Sequence, residues 1–117
     1  MSSNDVASES PSPRHSPKIS IERIEADILR IARFGLQEAD RGVYRQGFSK
    51  ADMAAREWLM AKFAEAGMSA RMDGAGNVIG RYGPDDKPAV MIGSHLDSVP
   101  AGGIFDGVLG VVAGLEI

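Results

Sequence analysis

The chain contains no cysteine, so neither a disulfide framework nor a thiolate zinc site is open to it, and any metal must be held through nitrogen and oxygen. Positive charge is not in excess either. A net charge of −3 and a pI near 5.3 argue against a nucleic-acid or polyanion partner. No apolar run approaches the roughly 20 residues that a membrane span needs, which speaks against a membrane partner. Histidine is scarce, with only His15 and His95, and there is a single tryptophan, Trp58. What remains, 44% hydrophobic and 25% charged residues, is the composition of one small soluble domain, with a cytoplasmic location expected.

Residues 1–18, MSSNDVASESPSPRHSPK, are rich in Ser and Pro and nearly empty of apolar side chains. They cannot bury enough surface to offset the entropy of ordering, so a disordered tail is expected there, with His15 solvated inside it. The tail lacks the apolar core of a secretory signal, and Asp5 and Glu9 with few arginines do not suit a transit peptide.

Helical periodicity starts at Ser20. Ile21, Ile24, Ile28, Ile31 and Phe34 recur at spacings of three and four, with Ser20 available as N-cap and Gly35 as a left-handed stop. Gln37 to Gly47 has little periodicity and reads as a surface loop, with Tyr44 and Arg45 as alternative substrate-facing groups. A second helix is signalled by a capping box of Ser49 and Asp52, a staple of Phe48 and Met53, and a stop at Gly67. Its stripe of Ala55, Trp58, Leu59, Phe63 and Ala66 reads as core. Met68–Met72 and Val78–Tyr82 flank a glycine turn and predict a hairpin. The spacing of Gly74, Gly76 and Gly80 does not make a dinucleotide site, because no long helix follows these glycines.

The chemistry concentrates in Gly93 to Glu116, GSHLDSVPAGGIFDGVLGVVAGLE. Ala89–Gly93 is a continuous apolar run after the turn signal GPDDKP, the pattern of a strand covered on both faces. Alternation along its continuation sets His95 and Asp97 on one side with Leu96 opposite. Asp106 then precedes a helix of small residues, whose Gly107, Gly110 and Gly114 imply close backbone approach as compensation for their poor helix propensity. Histidine with ionised carboxylates at a strand end suits a borderline divalent ion such as zinc or manganese. Glu116 lies about 15 Å further along the helix axis and is excluded from such a site.

These residues, in this order and spacing, resemble the hydantoinase/carbamoylase branch of the metal-dependent aminoacylase and carboxypeptidase clan. There an SHLDSVP-type segment is followed directly by a GGxFDG segment, and the likeness runs from about Ile24 to the last residue. GVYR at Gly42 to Arg45 and AGN at Ala75 to Asn77 are also similar to family sequence. The resemblance implies an α/β fold, the N-terminal part of a di-metal amidohydrolase catalytic domain over residues 19–117. That part comprises two helices, a β-hairpin, a buried strand and the start of a third helix. It implies His95 as ligand of one metal, Asp106 as a carboxylate bridging two zinc or manganese ions, and Asp97 as the group that accepts the other ring N–H of His95 and holds its tautomer.

The implied reaction is hydrolysis of linear amide or ureido C–N bonds in small molecules such as N-carbamoyl amino acids, ureidopropionate or allantoate. An aminoacylase or exopeptidase of the same clan and a non-catalytic metal-binding or interaction module are the alternatives. Only ten residues separate His95 from Asp106, whereas the exopeptidases place a long insertion there. Relatives also carry a downstream Glu-Glu pair, further histidine ligands and a domain that forms homodimers, none of which stands in these 117 residues. The expectation is therefore an N-terminal fragment, inactive and poorly stable alone, that holds two divalent ions weakly or not at all.

Overall fold

The computed structural model describes residues 16–117. The tail expectation falls largely on residues 1–15, His15 included, which lie outside the described residues. Three helices, α1 (Ile21–Ala32), α2 (Lys50–Glu65) and α3 (Val108–Glu116), and two strands, β1 (Ser69–Met72) and β2 (Val78–Arg81), make up the regular structure. Helix α1 begins where Ser20 Oγ accepts the amide of Arg23 at 3.2 Å. It buries Ile28, Ile31 and Ala32, while Ile21 at its first turn is exposed. Past its end, Gly35 takes φ +95°, a conformation that glycine adopts without a Cβ penalty.

Helix α2 starts at Ser49, whose Oγ accepts the Asp52 amide. The return bond of the expected capping box goes elsewhere: the Asp52 carboxylate accepts the amide of Phe48 at 2.7 Å. Phe48 itself has φ +63° and is exposed, with the Arg56 guanidinium 4.7 Å from its ring centre, so it packs as a cation–π partner. Ala55 and Leu59 enter the core, Trp58 and Phe63 pack against it, and Ala66 is exposed at the helix end. The hairpin forms as its sequence predicts, β1 antiparallel to β2 with Ala70 opposite Gly80. The Phe63 ring lies so close to Gly80 that a Cβ there would fall 2.5 Å from it, which seats the hairpin on α2.

One predicted element is absent. Residues 89–93 form no strand, and Val90 and Met91 are 94% and 88% exposed. A strand needs a second backbone to pair with, and no described residue pairs there, so the apolar run is left without both the predicted strand and the predicted burial. Burial begins three residues later, at Leu96. Leu96 joins Ile28, Ile31, Ala55, Leu59, Val108 and Val112 in the core between the three helices. Helix α3 rides over the incoming chain on its glycines: a Cβ on Gly110 would lie 2.8 Å from Ser94 Cβ, and one on Gly114 would lie 3.3 Å from Ile92 Cγ2. Its far end is clasped to α1, since the Glu116 carboxylate accepts from Ser20 N at 2.7 Å and from Arg23 Nε and Nη2 at 3.1 and 2.6 Å.

Candidate metal centre

Residues His95–Ser98 are held from one side by Val43–Arg45. Ser98 N donates to Arg45 O at 2.8 Å, Ser98 Oγ accepts the Arg45 amide at 3.0 Å and donates to Val43 O at 3.1 Å, and Val43 and Gly102 exchange both backbone bonds. With Leu96 and Ser98 turned into the protein, alternation sends His95 and Asp97 outward, where they are 52% and 50% exposed at the side chain. The expectation that these two share a face agrees with the structure.

His95 Nδ1 lies 3.0 Å from the backbone oxygen of Asp97 and 3.3 Å from its carboxylate Oδ1. A carbonyl oxygen can only accept, so Nδ1 carries a proton and, in the neutral ring, the lone pair sits on Nε2. The nearer acceptor is thus the Asp97 main chain, with the carboxylate beside it. The other flank of the ring is Gly107, at φ +74°, so close that a Cβ there would lie 2.5 Å from His95 Cε1 and from His95 O. Asp106 is the residue before that contact and is exposed, so the topology brings it to the same end of α3 as His95. Among the described residues, no group of three or more His, Cys, Asp or Glu is gathered that could hold an ion. The donor set therefore fits a divalent ion in kind, one imidazole nitrogen and one carboxylate, and falls short of the three or four protein ligands of a complete zinc site.

Arg45 is neither exposed nor substrate-facing. It is 1% exposed, and its guanidinium donates to Leu96 O at 2.7 Å through Nε and to Ile31 O and Phe34 O at 3.0 and 2.7 Å through Nη1. The last two are carbonyls at the end of α1, which a cation satisfies well. Burial holds the Arg45 pKa below the usual arginine value, and the carboxylates of Asp52 and Asp97 oppose that shift. Tyr44 bonds the carboxylate of Asp40 and takes no part in this cluster.

No family-level sequence profile matches the chain. Individual relatives do. An N-carbamoyl-L-amino-acid amidohydrolase of Paenarthrobacter aurescens is 46% identical over 101 residues, 85% of this chain and 24% of the relative. An allantoate amidohydrolase of Bacillus subtilis is 34% identical over 84% of this chain. Among solved structures, a hydantoinase/carbamoylase family amidase from Burkholderia ambifaria is similar with a TM-score of 0.77 and 40% identity over 85% of this chain and 25% of that one. Its curated relatives are thus N-carbamoyl-L-amino-acid and allantoate amidohydrolases, and its solved neighbours are hydantoinase/carbamoylase family amidases. The chain spans about a quarter of the length of the curated relatives it matches. The fold of the matching part is mixed helix and strand, and the segments that carry the resemblance, GVYR, SHLDSVP and GGIFDG, are the ones that meet around His95.

Proposed function

We propose that this chain contributes a metal-binding part of a hydrolase that cleaves ureido C–N bonds, with N-carbamoyl amino acids and allantoate-like ureido compounds as the substrate class. The observation that carries the reading is the His95 ring, pinned at Nδ1 by Asp97 and flanked by Gly107, with Asp106 next in the chain. In this reading His95 Nε2 and the Asp106 carboxylate are the protein's ligands, and Asp97 fixes the tautomer that makes Nε2 available. Divalent ions bound there would lower the pKa of a water and polarise the ureido carbonyl. Water adds across the carbamoyl C–N bond, and the products are the free amino acid, ammonia and carbon dioxide. Among the described residues no group of three or more possible ligands gathers at this pair, so this cluster without further ligands and a general base is expected to be inactive.

A chimera tests this reading. The matching quarter of the Paenarthrobacter relative is replaced by residues 19–117, and ammonia release from an N-carbamoyl amino acid is followed in the presence of zinc or manganese. Activity that disappears in His95→Ala and Asp106→Ala chimeras is expected. Activity retained in both variants contradicts the assignment, whereas ureidohydrolase activity of the 117-residue chain above its His95→Ala control would contradict its expected inactivity alone. Preference for a peptide substrate over the N-carbamoyl compound would favour the exopeptidase alternative.

A further inference from the structure

We infer that Arg45 is a positioning residue for His95: by gripping the two peptide groups that flank Asp97, it aims the Asp97 carbonyl at His95 Nδ1 and leaves Nε2 free for a ligand. The inference deepens the metal-site reading above and rests on it for the use of Nε2. The first peptide group, Leu96–Asp97, is held by the guanidinium through Leu96 O at 2.7 Å. The second, Asp97–Ser98, is held by the Arg45 main chain, whose carbonyl accepts Ser98 N at 2.8 Å. A trans peptide is planar, with its C=O and N–H pointing in opposite directions. Once Ser98 N–H points at Arg45, the Asp97 carbonyl must point away from it, and there it receives the imidazole proton at 3.0 Å.

The guanidinium also ties this grip to a rigid support. Its two bonds to Ile31 O and Phe34 O anchor it to the end of α1, so the His95 segment is referenced to a packed helix although the chain before it is exposed and unpaired. Three carbonyls on one planar fork suit arginine and not lysine, whose single ammonium reaches them less well. Arg45 touches neither His95 nor Asp106 by any described hydrogen bond, so its effect on the site is transmitted through backbone geometry.

The experiment reads the imidazole directly. In the full chain carrying His15→Gln, His95 is the sole histidine, and long-range proton–nitrogen spectra of isotope-labelled protein at about pH 8, above the usual histidine pKa, report its tautomer. The Nδ1–H form is expected to dominate. Arg45→Met keeps the main-chain bond to Ser98 N but removes the guanidinium's hold on Leu96 O and its anchors to Ile31 O and Phe34 O, and it is expected to lower the ratio of Nδ1–H to Nε2–H by up to about five- to tenfold, the weight of roughly one net hydrogen bond. Ile28→Ala, a core change that removes none of these hydrogen bonds, is expected to leave the ratio unchanged although it also lowers stability. Arg45→Lys should fall between wild type and Arg45→Met, and it carries the test if the methionine variant does not fold. An unchanged ratio in the folded arginine variants overturns the inference, as does an equal loss in Ile28→Ala or a wild-type ring without excess Nδ1–H. Zinc added to the same sample separates the two readings: a wild-type ring that keeps Nδ1–H but shows no Nε2 response contradicts the metal site and supports the positioning role of Arg45.

Discussion

Replacing Gly107 by alanine should damage the site and the fold together, and the size of the effect follows from two independent features. The first is conformation. Gly107 has φ +74° and ψ −46°, near the strained γ-turn region that residues with a side chain rarely occupy. Holding alanine there costs about 1–3 kcal/mol. The second is space. The new Cβ would sit 2.5 Å from His95 Cε1 and 2.5 Å from His95 O, against an ordinary contact of about 3.5–4 Å. The ring can rotate away but the carbonyl belongs to the clamped main chain, so α3 and the His95 segment must separate by about 1 Å. Thermal or urea unfolding followed by circular dichroism should show a loss of at least about 2 kcal/mol, and the His95 ring resonances should shift. Gly103→Ala is the control, because a Cβ there meets nothing within 4 Å. A Gly107→Ala protein within about 0.5 kcal/mol of the control, with an unmoved imidazole, would refute the argument.

Four further outcomes are expected. Asp97→Ala retains the main-chain acceptor at 3.0 Å, so His95 should keep an Nδ1–H excess in nitrogen spectra, and its complete loss would assign the role to the carboxylate. Glu116 is held below the usual carboxylate pKa, first by its side-chain bond to Arg23 and then by the Ser20 amide. The sign follows: protonation is harder in the folded state, so the clasp stabilises above the ordinary carboxylate range and is lost as pH falls through the depressed value. The melting temperature should therefore drop in acid, and Glu116→Gln should melt lower at neutral pH and respond less to acid. Leu59→Ala removes a buried core side chain and should cost about 2–5 kcal/mol in urea unfolding, with Trp58 fluorescence as a reporter. Asp52→Ala leaves Arg56, mostly buried and paired to Asp52 at 2.6 Å, without its carboxylate and should cost about 3–5 kcal/mol by the same measurement.

Local features were readable without coordinates. Ser20 and Ser49 act on amides three residues ahead, and the Asp73–Asn77 turn is closed by the Asp73 carboxylate bonding the amides of Ala75 and Asn77, so every partner lies within a few positions. Alternation placed Leu96 and His95 on opposite faces for the same reason. Residues 89–93 were not readable, because an apolar run states what a strand would bury and not whether a second backbone stands beside it. Phe48 was misassigned because its left-handed φ, invisible to spacing rules, removes it from the staple position. The sequence places Arg45 in a surface loop or facing a substrate, and its buried role is the largest departure from that reading. Its partners are carbonyls 11 to 51 residues distant, and carbonyls leave no signature in a side-chain pattern. The only available hint was the family-like GVYR itself, four residues of short side chains, ring and cation in an otherwise featureless loop.

The most direct test of the central claim, that His95 and Asp106 serve one divalent-ion site, is a calorimetric titration of the full chain with zinc beside its His95→Ala and Asp106→Ala variants, with folding checked in each. Binding weakened in both variants by more than the roughly 10–100-fold loss usual for an outer-shell partner is the predicted result. Equal zinc affinity in all three folded proteins would contradict the claim.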